Sequence, residues 1–209
     1  MRPIWIFDLD DTLHDASAHI FPHLNRAMTQ YIMDTLAICE ADAHALRQRY
    51  WRIYGATLKG LMRHHGTDPY HFLVRTHELM NLQDMVVHAK RLRHALQRLP
   101  GRKVVFTNAP MQYALRVLRL IGVEDMFEIV HSVESTRFHP KPSVRGFQSL
   151  LRTLHVNPAH CIMVEDNLPA LRTARRLGMK AVHITRALHK PCYVSARLNS
   201  VLALTRHTI

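Results

Sequence analysis

The chain has 209 residues, enough for one good-sized domain or for a core domain that carries a smaller inserted one. Lys and Arg outnumber Asp and Glu by 28 to 16, so the surface should attract anions such as nucleic acids or phosphate esters. Hydrophobic residues make up 47% of the chain, but no apolar run approaches the roughly 20 residues of a membrane-spanning helix.

The composition also indicates where the protein is located and what it binds. The apolar run at the start is too short for a signal peptide, so we expect a cytoplasmic protein. The cysteines, Cys39, Cys161 and Cys192, form no CxxC pair, which predicts reduced, mostly buried thiols. The positive charge is dispersed over helix faces, which favours no specific nucleic-acid partner. We expect a monomer or weak homodimer that binds a small phosphorylated metabolite and no membrane.

The chain begins with a short apolar strand that runs directly into Asp8 and Asp10. From about 15 to 99 the apolar residues recur at helical spacing, with stripes at 20–32, 41–54, 69–81 and 84–98. Gly66-Thr67-Asp68-Pro69 predicts a helix stop followed by a capped helix with proline at its first position.

After Pro100-Gly101 the pattern changes to short strands that alternate with helices. Strands are predicted at 103–107, 127–131, 161–164 and 181–184, and helices at 112–121, 142–155 and 168–177. Such alternation predicts βαβ units, and hence an α/β fold with a parallel sheet whose ligands bind at the carboxyl ends of the strands.

The first strand must join this later sheet to bury both of its faces. The chain therefore divides into a discontinuous core, 1–15 and 98–209, and an all-helical insertion, 16–97. Because the insertion leaves just after the aspartates, it is placed to cover the site as a cap that excludes water. The alternative is a separate helical domain with a scaffolding role.

Polar residues follow four of the predicted strands, at what should be one edge of the sheet. Each of them has an ordinary structural explanation as a turn, cap or surface residue. Together they supply a nucleophilic carboxylate, a second acid, phosphate-binding groups, a cation and carboxylates for Mg²⁺, which phosphoryl transfer through a covalent intermediate needs. They are Asp8, Asp10, Thr107, Asn108, Lys141, Glu165 and Asp166.

These motifs resemble those of the haloacid dehalogenase-like hydrolase superfamily over the whole chain. The segment 8–12 matches its DxDxT motif, Thr107-Asn108 its second, Lys141 its third and 164–167 its fourth. The resemblance implies a Rossmann-like sheet, a helical cap and Mg²⁺ at the carboxyl edge.

The resemblance also implies a role for each residue. Asp8 would be the nucleophile and a metal ligand, and Asp10 the acid and then the base, with its backbone carbonyl on the metal and Thr12 supporting its position. Asp166 would ligate the metal, with Glu165 as a further ligand or a neighbour of the ligands. The phosphoryl group would be held by Thr107, Asn108 and Lys141.

The carboxylate at position 10 favours a phosphatase, because halide displacement needs no acid at the leaving group. A phosphomutase would carry the same pair, and a sugar-phosphate or phosphoglycolate-type phosphatase is a further alternative. From its charge alone, the chain could be a basic nucleic-acid-binding protein with a degenerate site, although no reader motif supports that.

Within the superfamily, residues 54–61, the segment 107–110 and His14 resemble the pyrimidine 5′-nucleotidase branch. This implies a nucleoside monophosphate as substrate, with Tyr54 or Leu58 near its leaving group, where an aromatic face could stack on a base. From their spacing alone, these two residues would instead belong to the interior of the helical insertion.

Overall fold

The computed structural model describes residues 2–207, and within this range six strands form one parallel sheet. Their order is β3-β2-β1-β4-β5-β6. In this Rossmann-like order, β2 and β3 lie on one side of β1, and β4, β5 and β6 lie on the other. The predicted α/β class is therefore confirmed. The strands are β1 (Ile4–Phe7), β2 (Arg102–Phe106), β3 (Ile129–His131), β4 (Cys161–Glu165), β5 (Lys180–Ile184) and β6 (Ala196–Leu198).

The first strand lies at the centre of the sheet because all four of its residues are apolar and buried. Ile6 pairs with Val104 on one side and with Met163 on the other. Successive side chains alternate between two hydrophobic clusters, so that Ile6 packs in one layer and Phe7 in the opposite one. Burial on both faces explains why β1 pairs with β2 and β4, which come much later in the chain, after the helical insertion.

Nine α-helices accompany the sheet within residues 2–207, and none of these is long and apolar enough to cross a membrane. As predicted, the fourth helix begins with Pro69 after an Asp68 cap, whose carboxylate accepts from Tyr70 N at 2.9 Å. The helices are α1 (Ile20–Leu36), α2 (Glu40–Tyr54), α3 (Thr57–His65), α4 (Pro69–His77), α5 (Leu82–Met85), α6 (Leu92–Arg98), α7 (Met111–Leu120), α8 (Val144–Leu154) and α9 (Leu168–Arg176).

The structure differs from the helical prediction at 84–98. The chain leaves α5 at Met85, extends so that Asp15 N donates to Val87 O at 2.7 Å, and re-enters a helix only at Leu92. Leu82 and Leu92 pack in the same cluster as Phe7, so the sheet rather than helical periodicity decides the path of this segment.

The other differences are small. The helix predicted at 69–81 ends at His77, the third strand begins at Ile129, and β6 is not predicted. The prediction that the cysteines are mostly buried is wrong: Cys161 is buried in β4, but Cys39, which precedes α2, and Cys192, in the loop before β6, are exposed. The helices α1–α4 share a third hydrophobic cluster, which Val133, shortly after β3, also joins. The division of the chain into a core and a 16–97 cap stays a prediction.

Candidate active site

The polar residues that follow the central strands meet at one edge of the sheet. Asp8 follows β1, Thr107 follows β2 and Glu165 ends β4, and these three strands are parallel neighbours. The ladder continues past β1, because Asp8 N donates to Val164 O at 2.9 Å. The expectation that these side chains share an edge agrees with this geometry.

Lys141 joins two of the carboxylates through buried ion pairs. Its Nζ lies 2.7 Å from Asp8 Oδ1 and 2.6 Å from Glu165 Oε2. The relative exposures of the three residues are 5% for Lys141, 7% for Asp8 and 1% for Glu165. Charge-assisted bonds that are this short and this well removed from water fix all three side chains tightly.

Asn108 holds Lys141 by its main chain. The Asn108 Nδ2 donates to Lys141 O at 3.0 Å, and its Oδ1 accepts from Lys141 N at 2.7 Å. The side chain is thereby occupied, and its expected contact with a phosphoryl group stays a prediction. Thr107 is 1% exposed, with its Oγ1 accepting from Ala109 N at 3.0 Å.

A possible metal site lies beside the ion pairs. Carboxylate oxygens of Asp8, Glu165 and Asp166 lie within 4.8 Å of one another. Glu165 already accepts hydrogen bonds from Asp166 N, Asn167 N and Lys141 Nζ. Hard oxygen ligands of this kind suit Mg²⁺, and Asp8 and Asp166 have more accepting capacity left for it than Glu165 has.

The electrostatics of the site also suit a cation. Burial, followed by the charge of Glu165, raises the pKa of Asp8 well above its usual value, although Lys141 opposes the shift. Burial is also the main cause that raises the pKa of Asp166 to about 6. One lysine does not balance three neighbouring carboxylates, so a divalent cation fits this site.

Asp10 is held differently, by a tyrosine hydroxyl and a histidine ring nitrogen. Its Oδ1 lies 2.7 Å from Tyr113 Oη and 2.9 Å from His14 Nε2. When Asp10 is ionised its carboxylate only accepts, so His14 Nε2 is then the donor. Thr12, which the resemblance implied as support, has a buried Oγ1 without a hydrogen-bond partner within residues 2–207.

Two further residues beside the site are not predicted from the sequence: Tyr113, which bonds Asp10, and His183, whose Nε2 lies 2.9 Å from Asp166 O. Both residues lie in segments with a regular apolar pattern, α7 and β5, and such a pattern predicts that their side chains belong to the hydrophobic core. No local sequence signal marks either as a neighbour of the site.

The two residues predicted to contact a substrate base lie in the helical insertion. Leu58 is 5% exposed within the cluster of α1–α4, and Tyr54 Oη is 2.6 Å from His64 Nε2. Between them, Gly55 abuts the loop of Lys141, since a Cβ at position 55 would lie 2.9 Å from Lys141 O. The substrate contacts of Tyr54 and Leu58 stay predictions.

Strand order, buried lysine and clustered carboxylates define a Rossmann-like α/β protein with a candidate active site at the carboxyl edge of its sheet. Residues 4–178 match the family model described as haloacid dehalogenase-like hydrolase. The chain belongs to this hydrolase family.

Among curated proteins, the chain is similar to phosphate metabolism protein 8 of Saccharomyces cerevisiae, with 24% identity over 85% of this chain and 60% of the yeast protein. It is also similar to validoxylamine A 7′-phosphate phosphatase of Streptomyces hygroscopicus subsp. limoneus, with 27% identity over 46% of this chain and 45% of that protein. The chain thus spans less than two thirds of the length of either relative.

Among solved structures, a HAD phosphatase from Thermococcus onnurineus superposes with a TM-score of 0.68 at 19% identity, over 99% of this chain and 97% of that one. The L-2-haloacid dehalogenase of Xanthobacter autotrophicus superposes with a TM-score of 0.65 at 14% identity, over 99% and 98%. Because a phosphatase and a dehalogenase fit almost equally well, these likenesses establish the fold and not the reaction.

Proposed function

We propose that the protein is a Mg²⁺-dependent phosphatase that hydrolyses small phosphate monoesters through an aspartyl phosphate on Asp8. The observation that carries the proposal is the buried contact of Asp8 with Lys141, 2.7 Å long, with a second aspartate two residues further on. Displacement of a halide needs no acid at the leaving group, whereas cleavage of a phosphate ester needs an acid that protonates the leaving oxygen.

The residues divide the reaction between them. Asp8 attacks phosphorus, the P–O bond to the leaving group breaks, and Asp10 gives its proton to the departing oxygen. Water then attacks the aspartyl phosphate and gives its proton to Asp10, which regenerates both residues and releases phosphate. Thr107 and Asn108 hold the phosphoryl oxygens, and Lys141 balances their charge beside Asp8.

The carboxylates of Asp8 and Asp166 would hold the metal, together with the backbone carbonyl of Asp10 that the resemblance implies. Glu165 acts as a further ligand or, as its hydrogen bonds favour, as the residue that holds Lys141 and the 166–167 amides. Mg²⁺ supplies positive charge for the phosphoryl oxygens and lets the neighbouring carboxylates stay ionised together.

For the substrate we propose a nucleoside 5′-monophosphate, with a pyrimidine base preferred. The support is the resemblance of 54–61 to the pyrimidine 5′-nucleotidase branch and the contact of Gly55 with Lys141, which places this segment beside the site. A sugar-phosphate or phosphoglycolate-type phosphatase, or a phosphomutase, would use the same edge of the sheet.

The test is phosphate release from UMP, CMP, AMP, sugar phosphates and phosphoglycolate, with and without Mg²⁺, beside Asp8→Asn. We expect metal-dependent release, fastest from UMP or CMP, that Asp8→Asn abolishes. Equal release from every ester would overturn the nucleotide assignment and keep the chemistry. Release that survives Asp8→Asn, or no release from any ester, would overturn the phosphatase.

A further inference from the structure

Two residues outside the four superfamily motifs contact Asp10, the proposed acid and base. Tyr113 lies in the first turn of α7 and is 3% exposed, and His14 is 4% exposed. Both direct their hydrogen-bonding atoms to the same oxygen, Oδ1 of Asp10, at 2.7 and 2.9 Å. Within residues 2–207, no donor contacts Asp10 Oδ2.

An aspartate that accepts two hydrogen bonds on one carboxylate oxygen and none on the other has a defined orientation. The terminal torsion of an aspartate side chain is otherwise broad, so an unsupported carboxylate would present either oxygen at varying angles. Two donors on Oδ1 restrict this torsion and leave Oδ2 free for the substrate. Their hydrogen bonds also stay in place when Oδ2 alternately carries and gives up a proton.

We propose that Tyr113 and His14 are positioning residues that hold Asp10 so that Oδ2 faces the leaving oxygen of the ester. This assignment rests on the phosphatase proposed above. The bond between phosphorus and the leaving oxygen breaks as the Asp8–phosphorus bond forms, and the proton on Oδ2 passes to the leaving oxygen. Misorientation of Asp10 would therefore slow this proton transfer rather than substrate binding.

The helical insertion packs against the same tyrosine. His77, in the last turn of α4, contacts the Tyr113 ring edge-on, with the ring centroids 5.9 Å apart. One turn further along α7, Arg116 Nη2 donates to Leu79 O at 2.9 Å. The insertion thus braces the residue that orients Asp10, which is a second route, besides covering the site, by which it can affect the reaction.

The experiment compares two aryl phosphates of nearly equal size, 4-nitrophenyl phosphate and phenyl phosphate, with Mg²⁺ present. Nitrophenolate leaves readily without a proton, whereas phenolate needs the acid. For Tyr113→Phe we expect kcat/KM for phenyl phosphate to fall by roughly 10-fold or more beyond any fall for the nitrophenyl ester, with kcat rather than KM carrying the loss.

Two further sets of variants separate positioning from stability. Tyr31→Phe removes a buried tyrosine hydroxyl that also bonds a histidine, His71 Nδ1 at 3.0 Å, and should lower neither rate. At position 14, Gln places an amide donor near the site of the Nε2 hydrogen and Phe places none. His14→Gln should therefore recover phenyl phosphate activity relative to His14→Phe.

The outcomes are distinct. If the wild-type protein hydrolyses neither aryl ester nor any ester of the panel above, the proposed phosphatase is wrong, and this assignment with it. If it hydrolyses esters of that panel alone, the same variants are compared on UMP, where an unchanged kcat for Tyr113→Phe overturns the positioning role. If the wild type hydrolyses both and Asp8→Asn neither, but Tyr113→Phe slows the two esters equally or not at all, only the positioning role is wrong. A selective loss that His14→Phe shares and His14→Gln reduces supports it.

Discussion

The carboxyl edge of the sheet and the helical insertion are held together by different forces. At the edge, Asp8, Lys141 and Glu165 are charged groups removed from water, and each depends on its neighbours for compensation. In the insertion, α1–α4 pack around aromatic and aliphatic side chains such as Tyr31, Phe72 and Leu61. The burial of this apolar surface stabilises the insertion.

This difference teaches where each kind of substitution should act. At the edge, the proposed chemistry uses the same side chains that stabilise the fold, so one change should damage both. In the insertion, a change should alter packing and reach the chemistry only through contacts such as that of Gly55 with the Lys141 loop.

The largest expected effect is that of Lys141→Met, which leaves two buried carboxylates without their cation. Removing one partner of a buried ion pair typically costs about 3–5 kcal/mol, and we expect a loss of that order in the free energy of unfolding. Phosphate release should also be abolished. Urea unfolding without Mg²⁺, together with an activity assay, measures both.

The matched control is Lys59→Met in the insertion, where the lysine Nζ lies 3.5 Å from His139 Nδ1 and contacts no carboxylate within residues 2–207. It should change stability by less than about 1 kcal/mol. Equal losses for the two lysines would remove the distinction between the edge and the insertion.

The next effect sharpens the division of work within the edge. Asp166→Asn should raise the Mg²⁺ concentration needed for half-maximal activity by roughly 10-fold or more, since it removes a carboxylate oxygen that is proposed as a ligand. Glu165→Gln should instead lower stability, because Glu165 holds Lys141 and two amides. A larger rise in the Mg²⁺ requirement for Glu165→Gln would make Glu165 the principal ligand.

Mg²⁺ binding should depend on pH in a direction set by the same residue. Burial raises the pKa of Asp166 to about 6, and a protonated carboxyl does not ligate the metal. The Mg²⁺-induced rise in Tm should therefore increase from about pH 5 to about pH 7, and Asp166→Asn should flatten this dependence. A pH-independent rise in the wild type would contradict the assignment of Asp166.

A smaller effect concerns His131, which ends β3 and is 3% exposed. Burial lowers its pKa to about 4, so the folded protein keeps it neutral while the unfolded chain protonates it below its ordinary value of 6.5. Its stabilisation is therefore fully present above that ordinary value and is lost as pH falls toward 4, about 2 kcal/mol of it by about pH 5.

The measurement is urea unfolding of the wild type and His131→Phe at about pH 7.5 and about pH 5. The variant should lose less stability on acidification than the wild type, by about 1–2 kcal/mol. The control is His160→Ala, at an exposed histidine, which should lose as much stability on acidification as the wild type. Identical pH dependence for all three proteins would show that His131 is protonated as easily in the folded state as in the unfolded one.

The smallest effect tests the contact between the two regions. Gly55 and Gly66 both have positive φ, +78° and +62°, but only a Cβ at position 55 meets neighbours, Pro142 Cδ at 2.8 Å and Lys141 O at 2.9 Å. Gly66→Ala should cost about 1 kcal/mol through its backbone conformation alone. Gly55→Ala should cost more and also lower kcat, because the loop of Lys141 must shift; equal effects would argue against this contact as a link.

Sequence reasoning found the edge residues because strand ends in a parallel sheet have a fixed place. Asp8, Thr107 and Glu165 needed only the strand positions and the βα alternation to be brought together. It failed at 84–98, where helical periodicity is compatible with two short helices separated by an extended stretch, and at β6, whose short run has little signal of its own.

The sequence by itself determined the α/β class, the family and the order of charged residues along the sheet edge, because these depend on local periodicity and on motifs with fixed spacing. Only the tertiary structure decided that Asn108 holds the Lys141 main chain, that Tyr113 and His14 share one oxygen of Asp10, and that Gly55 abuts the Lys141 loop. Those contacts join residues far apart in the chain, or depend on side-chain torsions, and no periodicity encodes the resulting distances.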